Sequence, residues 1–253
     1  MRYQSIILLL LAPAATLAIE LDGQTDFGRR LELNSSISAR IDSIRVRPGE
    51  RVSAGQVVVN LVATGLRANA ASARAEADAL VPVAERMLTE LEKARELYAR
   101  DSLAVIELQN AEQDHAIARS RLEAAEAKLA RALFLLSQAE IRSPIDGVVI
   151  EVDAFAGQYV NTRVENRRLL TIVDTDSMIA EATLPWELAN PSLLRRPVEV
   201  RYGDQLYRGK IVEIGRRASI GNNNHPAVRI RIEFRADGRL AAGMPVRISI
   251  ADE

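Results

Sequence analysis

The chain contains no cysteine. That absence excludes a disulfide framework, a thiolate metal site and a lipidated N-terminal Cys together. Lysine is scarce as well. Only Lys93, Lys128 and Lys210 occur, so basic charge is carried mainly by arginine. Positive and negative side chains nearly cancel, at a net charge of −1, leaving no field that recruits nucleic acid or acidic substrates. The two histidines show no metal-ligand spacing. His115 falls on an apolar helical seam, and His225 lies in a polar loop without a His, Cys or carboxylate partner. Gly49, Gly55, Gly147 and Gly157 do not follow phosphate-loop spacing and open no helix. No catalytic, cofactor-binding or metal residues are assigned, and the chain is read as a non-enzyme.

Long apolar runs are also missing. The one hydrophobic stretch of note is N-terminal: Arg2, then Ile6 to Ala12, then small residues from Pro13 to Ala18. This order is that of a secretory signal with cleavage after Ala18. The alternative is an uncleaved anchor, although the run is short of the roughly 20 residues of a spanning helix. Residues 1–18 are therefore read as signal peptide or anchor, and the remainder as exported.

What is present is a short Gly-centred β motif that occurs twice. The first copy runs Ile41-Asp42-Ser43-Ile44, Pro48-Gly49, then Gly55-Gln56-Val57-Val58. The second runs Ile145-Asp146-Gly147-Val148, Gly157-Gln158-Tyr159-Val160, then Leu169 to Val173. Two such halves are expected to fold against each other as one pseudo-symmetric unit. Gly49, Gly55, Pro144, Gly147 and Gly157 are read as its turn residues, since Pro presets φ and Gly accepts positive φ. Asp42 and Asp146, which recur at matching places, are read as turn residues bonding local backbone.

Between the halves the period changes. Leu66, Ala70, Ala73, Ala77, Leu80, Ala84, Met87, Leu91, Ala94 and Tyr98 advance in steps of four and three. Pro82 inside this seam is expected to remove one helical hydrogen bond and kink the helix. A second seam follows: Ala104, Leu108, Ala111, His115, Ala118, Leu122, Ala125, Leu129, Ala132, Leu136 and Ala139. Helices joined by so short a loop pack antiparallel, each on the order of 50 Å long. Ser102 is a candidate N-cap of the second helix, and Ser143-Pro144 is expected to end it.

From Asp174 onward the pattern is short alternating runs: Met178 to Leu184, Val198 to Val200, Leu206 to Ile214, Val228 to Phe234 and Val246 to Ile250. Turns separate them at Gly203-Asp204, Gly221 to Asn224, and Ala236-Asp237-Gly238. A small antiparallel barrel is expected, completed by the stretch near Leu21 to Leu31. Trp186 is read as a packing anchor at a strand end.

In the form V-x-P-G-x-x-V-x-x-G-Q-V, the segment Val46 to Leu61 carries a family resemblance. So do Arg142-Ser143-Pro144-Ile145-Asp146-Gly147-Val148-Val149, Gly157-Gln158-x-Val160, and the closing Leu240 to Val246. The sequence resembles the periplasmic adaptor subunits, or membrane fusion proteins of the HlyD-like family, of bacterial tripartite efflux systems, in particular the resistance–nodulation–division type. The resemblance implies an α+β fold: a split lipoyl/biotinyl-like β module, interrupted by a long antiparallel coiled-coil hairpin and followed by a small antiparallel β-barrel. The implied boundaries are 31–62 plus 140–173 for the module, 63–139 for the hairpin, and 19–30 plus 174–253 for the barrel. No lysine lies in 31–61 or 142–173, so neither half has an attachment point for biotin or lipoate, and no cofactor is assigned. The implied partners are an inner-membrane efflux transporter, an outer-membrane channel and further copies of the chain, with no nucleic acid. The implied location is the periplasm, in association with the inner membrane. Partner contact is placed at the hairpin tip, on Leu97, Arg100, Asp101, Ser102 and Leu103. Family members of this type carry Arg, Leu and Ser at the tip; here Leu97 keeps the Leu place, while Lys93 and Ala104 stand at the other two. The alternative is an exported coiled-coil scaffold unrelated to transport.

Overall fold

The computed structural model describes residues 19–162, 167–220, 225–236, 238 and 240–250. The signal or anchor at 1–18, the Gly221 to Asn224 turn and Asp237 lie outside the described residues. In chain order the elements begin with β1 (Ile19–Asn34), β2 (Ala39–Ile44), β3 (Arg51–Val52) and β4 (Val57–Leu61). Two helices follow, α1 (Thr64–Ala99) and α2 (Val105–Ser137), then β5 (Glu140–Arg142), β6 (Gly147–Val152), β7 (Tyr159–Val160) and β8 (Arg168–Pro185). Two 3-10 turns, Trp186–Leu188 and Pro191–Leu193, lead to β9 (Pro197–Tyr202), β10 (Gln205–Ile220), β11 (Pro226–Arg235) and β12 (Pro245–Ile250). The α+β class read from the sequence holds. The chain divides into two units, Glu32–Ile172 and Met1–Leu31 with Val173–Glu253.

In the second of these units, strands pair in the order β1-β12-β9-β10-β11-β8, and β8 pairs back with β1, so six strands form a ring. The cause is period-two alternation. Along β11, Val228, Ile230, Ile232 and Phe234 turn inward and are buried, while Arg229, Glu233 and Arg235 alternate with them. Val246, Ile248 and Ile250 do the same on β12. Each fully buried Ile contributes about 1.5–3 kcal/mol relative to exposure. β1 reads as weak strand in sequence yet runs for 16 residues, because its partners supply the order. Thr25 is the pin: its Oγ1 donates to Ala241 O at 2.7 Å and accepts from Met244 N–H at 3.0 Å. Trp186 is not the packing anchor expected of it. Pro185 ends β8, and the 3-10 turn that follows leaves the indole 55% exposed.

The other unit holds the two β halves and both helices. One sheet has the order β5-β4-β2-β7, in which two strands of the first half are flanked on either side by a strand of the second. Ile41, Val58, Val59, Leu61, Val149, Val160, Leu169, Leu170 and Ile172 form its core. The halves interlock by equivalent hydrogen bonds. Gly55 N–H donates to Ser143 O at 2.7 Å, and Ser143 N–H donates to Gln56 O at 2.9 Å. Gly157 N–H donates to Ile41 O at 2.8 Å, and Ile41 N–H to Gln158 O at 2.8 Å. Gly157 follows Gly55 by 102 residues, and Ser143 follows Ile41 by the same 102. Each glutamine also folds back on its own turn: Gln56 Oε1 accepts from Ser53 N–H and Gln158 Oε1 from Phe155 N–H.

This spacing corrects the sequence alignment of the halves, which matched Asp42 with Asp146. Asp42 sits in β2 at a register shift, and among the described residues its carboxylate accepts only from Ser43 Oγ, at 3.4 Å. Asp146 does not bond local backbone; its Oδ1 accepts from Ala54 N–H in the other half at 2.9 Å.

A second correction concerns the end of α2. The helix stops at Ser137, well before Ser143-Pro144. Gln138 N–H and Ser137 Oγ both satisfy Phe134 O, and Ala139 then leaves the helical seam for the module core. Leu61 N–H captures Ala139 O at 2.8 Å, and β5 pairs with β4 from there. Pro144 lies in the bend between β5 and β6.

Candidate functional site

The two helices lie antiparallel, as cross-helix ion pairs show: Arg95 with Glu112 at 3.4 Å, and Lys128 with Glu76 at 2.5 Å. These pairs are half exposed and add little stability. The apolar seam does the joining. Ala70, Ala73, Ala77 and Leu91 on α1 and Ala118 and Ala125 on α2 are buried. Small alanines let the backbones approach closely. α1 continues through Pro82.

At the far end of the hairpin the chain reverses over residues 100–104. Asp101 N–H donates to Tyr98 O at 3.0 Å and Ser102 N–H to Leu97 O at 2.9 Å. With Asp101 at φ 54°, these two bonds make the Schellman closure of a helix C-terminus. Aspartate here takes the left-handed place that glycine usually fills. Ser102 is not the N-cap of α2. Its hydroxyl donates back to Arg100 O at 3.1 Å, and Ala104 caps instead, with an extended backbone whose N–H bonds Glu107 Oε2 at 3.3 Å. A serine two residues early cannot reach the first free N–H groups of the helix.

The sequence-predicted tip residues do come together. Leu97, Arg100, Asp101 and Ser102 are exposed, and Leu103 is half buried. Leu103 and Leu97 line a groove with Met87, Lys93, Ala94 and Ala111. Tyr98, assigned in sequence to the seam, is outside it. With Leu97 (44% exposed), Val105 (54%) and Ile106 (58%), Tyr98 (44%) forms an apolar end to the hairpin, whose shaft also exposes Val81, Leu88, Ile117, Leu133 and Phe134. Sequence reading gave Val105 and Ile106 no role. The available signal was that both fall between the seam positions Ala104 and Leu108.

The turn residues belong to the β module. Gly49, Gly55 and Gly157 hold φ of 86°, 83° and 87°, which only glycine adopts cheaply. Gly147 is not a turn residue; it opens β6 and pairs with Val52. One ionic cluster stands out in this unit. Arg168 Nε meets Asp153 Oδ2 at 2.6 Å, its Nη2 meets Glu151 at 2.9 Å and its Nη1 meets Glu32 at 3.4 Å. The Arg168 hydrogen bond holds the Asp153 carboxyl below its ordinary value of 3.8, and the same bond raises the guanidinium, burial opposing both. Among the described residues no group of three or more His, Cys, Asp or Glu could hold a metal ion. No helix among them is long and apolar enough to cross a membrane.

Comparison with known proteins agrees with this geometry. A family model for the CzcB-like, barrel-sandwich hybrid domain matches residues 29–174. The nodulation protein NolF of Rhizobium meliloti is 28% identical over 220 residues, covering 85% of this chain and 58% of NolF. The chain spans about half the length of the curated relatives it matches. Among solved structures, the membrane fusion protein Spr0693 of Streptococcus pneumoniae aligns with a TM-score of 0.68 at 21% identity, over 93% of this chain and 99% of that one. A MacA–MexA chimera carrying the α-hairpin domain of Pseudomonas aeruginosa MexA aligns with a TM-score of 0.69 at 18% identity, over 93% and 82%. At these identities the two structures show a shared fold.

Proposed function

The chain belongs to the family of the CzcB-like barrel-sandwich hybrid domain, a fold it shares with membrane fusion proteins, and from that premise we propose that it is a periplasmic adaptor linking an inner-membrane efflux transporter to an outer-membrane channel. The observation that carries this reading is the apolar end of the hairpin, Leu97, Tyr98, Val105 and Ile106. At 1.5 Å per residue, helices of 36 and 33 residues reach on the order of 50 Å. A rod of that length rooted in an interlocked β module serves reach rather than catalysis.

In this proposal α1 and α2 act as a coiled coil whose end meets the channel. The six-stranded ring is the small barrel domain, and it meets the transporter with the β module. Several copies assemble around the exit path, and the transporter supplies the energy. Leu97, Arg100, Asp101, Ser102 and Leu103 form the channel contact of the resistance–nodulation–division type. Lys93 takes the place of the family's arginine in the groove beside Leu97.

The test is export of a transported compound from cells carrying Leu97→Ser, Val105→Ser and Ile106→Ser together. Loss of export with unchanged helix content and thermal midpoint supports the adaptor role. Unaltered export removes it.

A further inference from the structure

The proposed function assigns no role to one end of the six-stranded ring, and strand register shows what gathers there. Ile19 pairs with Ile250, Ala227 with Pro185, and Ile220 with Pro226, all at this end. β8 and β9 are not neighbours in the ring. The chain from Trp186 to Arg196 must therefore cross this end to join them. Leu193 is buried in the ring core, and Arg195 N–H donates to Ile211 O at 2.8 Å, so the crossing is pinned. Arg195 is held there at φ 67°, a left-handed backbone that is costly for a residue with a Cβ.

Large apolar side chains of this end face water. Trp186, Leu188 and Leu194 on the crossing are exposed, and Ile220 at the end of β10 is the most exposed large hydrophobic among the described residues, at 78%. Basic groups stand beside them. Between the pairs Ile214–Ile230 and Ala218–Val228 the register shifts, and Gly215, Arg216 and Arg217 face the single residue Arg229. Arg216 and Arg217 are exposed, and among the described residues neither has a carboxylate within 4.0 Å. The crossing adds Arg195 and Arg196 against one acid, Glu187. Finally, Ile19 lies at this end, so the residues before it, with the apolar Ile6 to Ala12 run of the sequence, join the fold here.

Tryptophan with aliphatic side chains and unpaired arginines is the combination that stabilises a protein surface at the headgroup level of a bilayer. We propose that this end of the ring rests on a membrane of anionic phospholipid. Trp186, Leu188 and Ile220 enter the interface, and Arg216 and Arg217 face lipid phosphate. The inference does not depend on what the hairpin tip binds.

Trp186 is the only tryptophan of the chain. Its emission therefore reports on this spot alone, even where residues 1–18 bind lipid themselves. The full chain is titrated with phosphatidylcholine vesicles containing about one third phosphatidylglycerol, and with phosphatidylcholine alone. With the anionic vesicles, Trp186 emission is expected to shift to the blue, lose access to acrylamide and be quenched by brominated lipid. Phosphatidylcholine alone should do much less. Arg216→Gln with Arg217→Gln should weaken the anionic-vesicle response on the order of tenfold. Should that variant fail to fold by circular dichroism, Ile220→Ser carries the test through a reduced blue shift. A Trp186 that stays water-accessible in vesicle-bound chain overturns the proposal, as does a response indifferent to both variants. Shielding seen only when the vesicles carry a transporter protein overturns it too, and assigns this end to a protein partner.

Discussion

Gly157 gives its backbone N–H to the carbonyl of Ile41 at 2.8 Å, joining the second half of the β module to the first. Its counterpart Gly55 does the same to Ser143 at 2.7 Å. The hairpin, Thr64 to Ser137, lies within the stretch that each clasp closes, so the chain returns to the same body. A stable root of this kind lets two helices held mainly by Ala and Leu project as one rod.

The clasp glycines should behave alike. No atom lies within 4 Å of a Cβ built on either Gly55 or Gly157, so only backbone strain opposes a side chain. Gly55→Ala and Gly157→Ala should each destabilise by about 1–2 kcal/mol in denaturant unfolding. Gly65, which also has open space but lies at the start of α1 without positive φ, is the control: Gly65→Ala should stabilise by about 0.5–1 kcal/mol.

At the tip the sign reverses. Asp101 occupies a left-handed C-terminal position at φ 54°. Asp101→Gly should relieve about 0.5–1 kcal/mol of local strain. Hydrogen exchange should then slow at Ser102 N–H and in the last turn of α1, with little change in the β module. Faster exchange there would contradict the Schellman assignment.

Ring closure makes a third prediction. A Cβ on Gly23 would lie 2.7 Å from Glu181 O and 2.9 Å from the Ile248 side chain. The backbone oxygen cannot swing away. Gly23→Val should destabilise by about 1–3 kcal/mol or more, read as a lowered thermal midpoint. A neutral result would mean that β1 and β8 do not meet as closely as described.

The Arg168 cluster gives a pH dependence with a definite sign. Asp153 has its pKa lowered from 3.8, first by the Arg168 hydrogen bond, with burial opposing. Its contribution is present in full above that ordinary value and is lost as pH falls through the lower folded one. Arg168, its pKa raised by the same hydrogen bond, stays charged throughout. Below pH 3.8 the wild type should therefore lose stability more steeply than Asp153→Asn. Parallel acid limbs for the two proteins would remove the pair from the account.

Much of this architecture was legible because it follows from strict periods. Val228, Ile230, Ile232 and Phe234 announce a strand with one dry face, and the four-three steps from Leu66 to Ala94 announce a packed helix. What the sequence concealed depended on distant partners. α2 ends at Ser137 because Ala139 has a place in the module core and Leu61 N–H takes its carbonyl. No local breaker marks that position. The likeness of Ile41-Asp42 to Ile145-Asp146 misled the alignment of the halves, since the clasp hydrogen bonds match Ile41 with Ser143. At the tip, Leu97 and the loop were found from resemblance. Tyr98, Val105 and Ile106 emerged only once the seam was seen to close before reaching them.

Because the chain has no cysteine, a single introduced thiol is unique, and this allows the most direct test of the central claim. Ser102→Cys at the tip and Glu123→Cys on the exposed shaft of α2 are each treated with a short thiol-directed photocrosslinker in intact cell envelopes. The adaptor account predicts an adduct between the Ser102→Cys chain and an outer-membrane channel protein, with little or none from Glu123→Cys. No channel adduct at Ser102→Cys, or equal adducts from both positions, would contradict it.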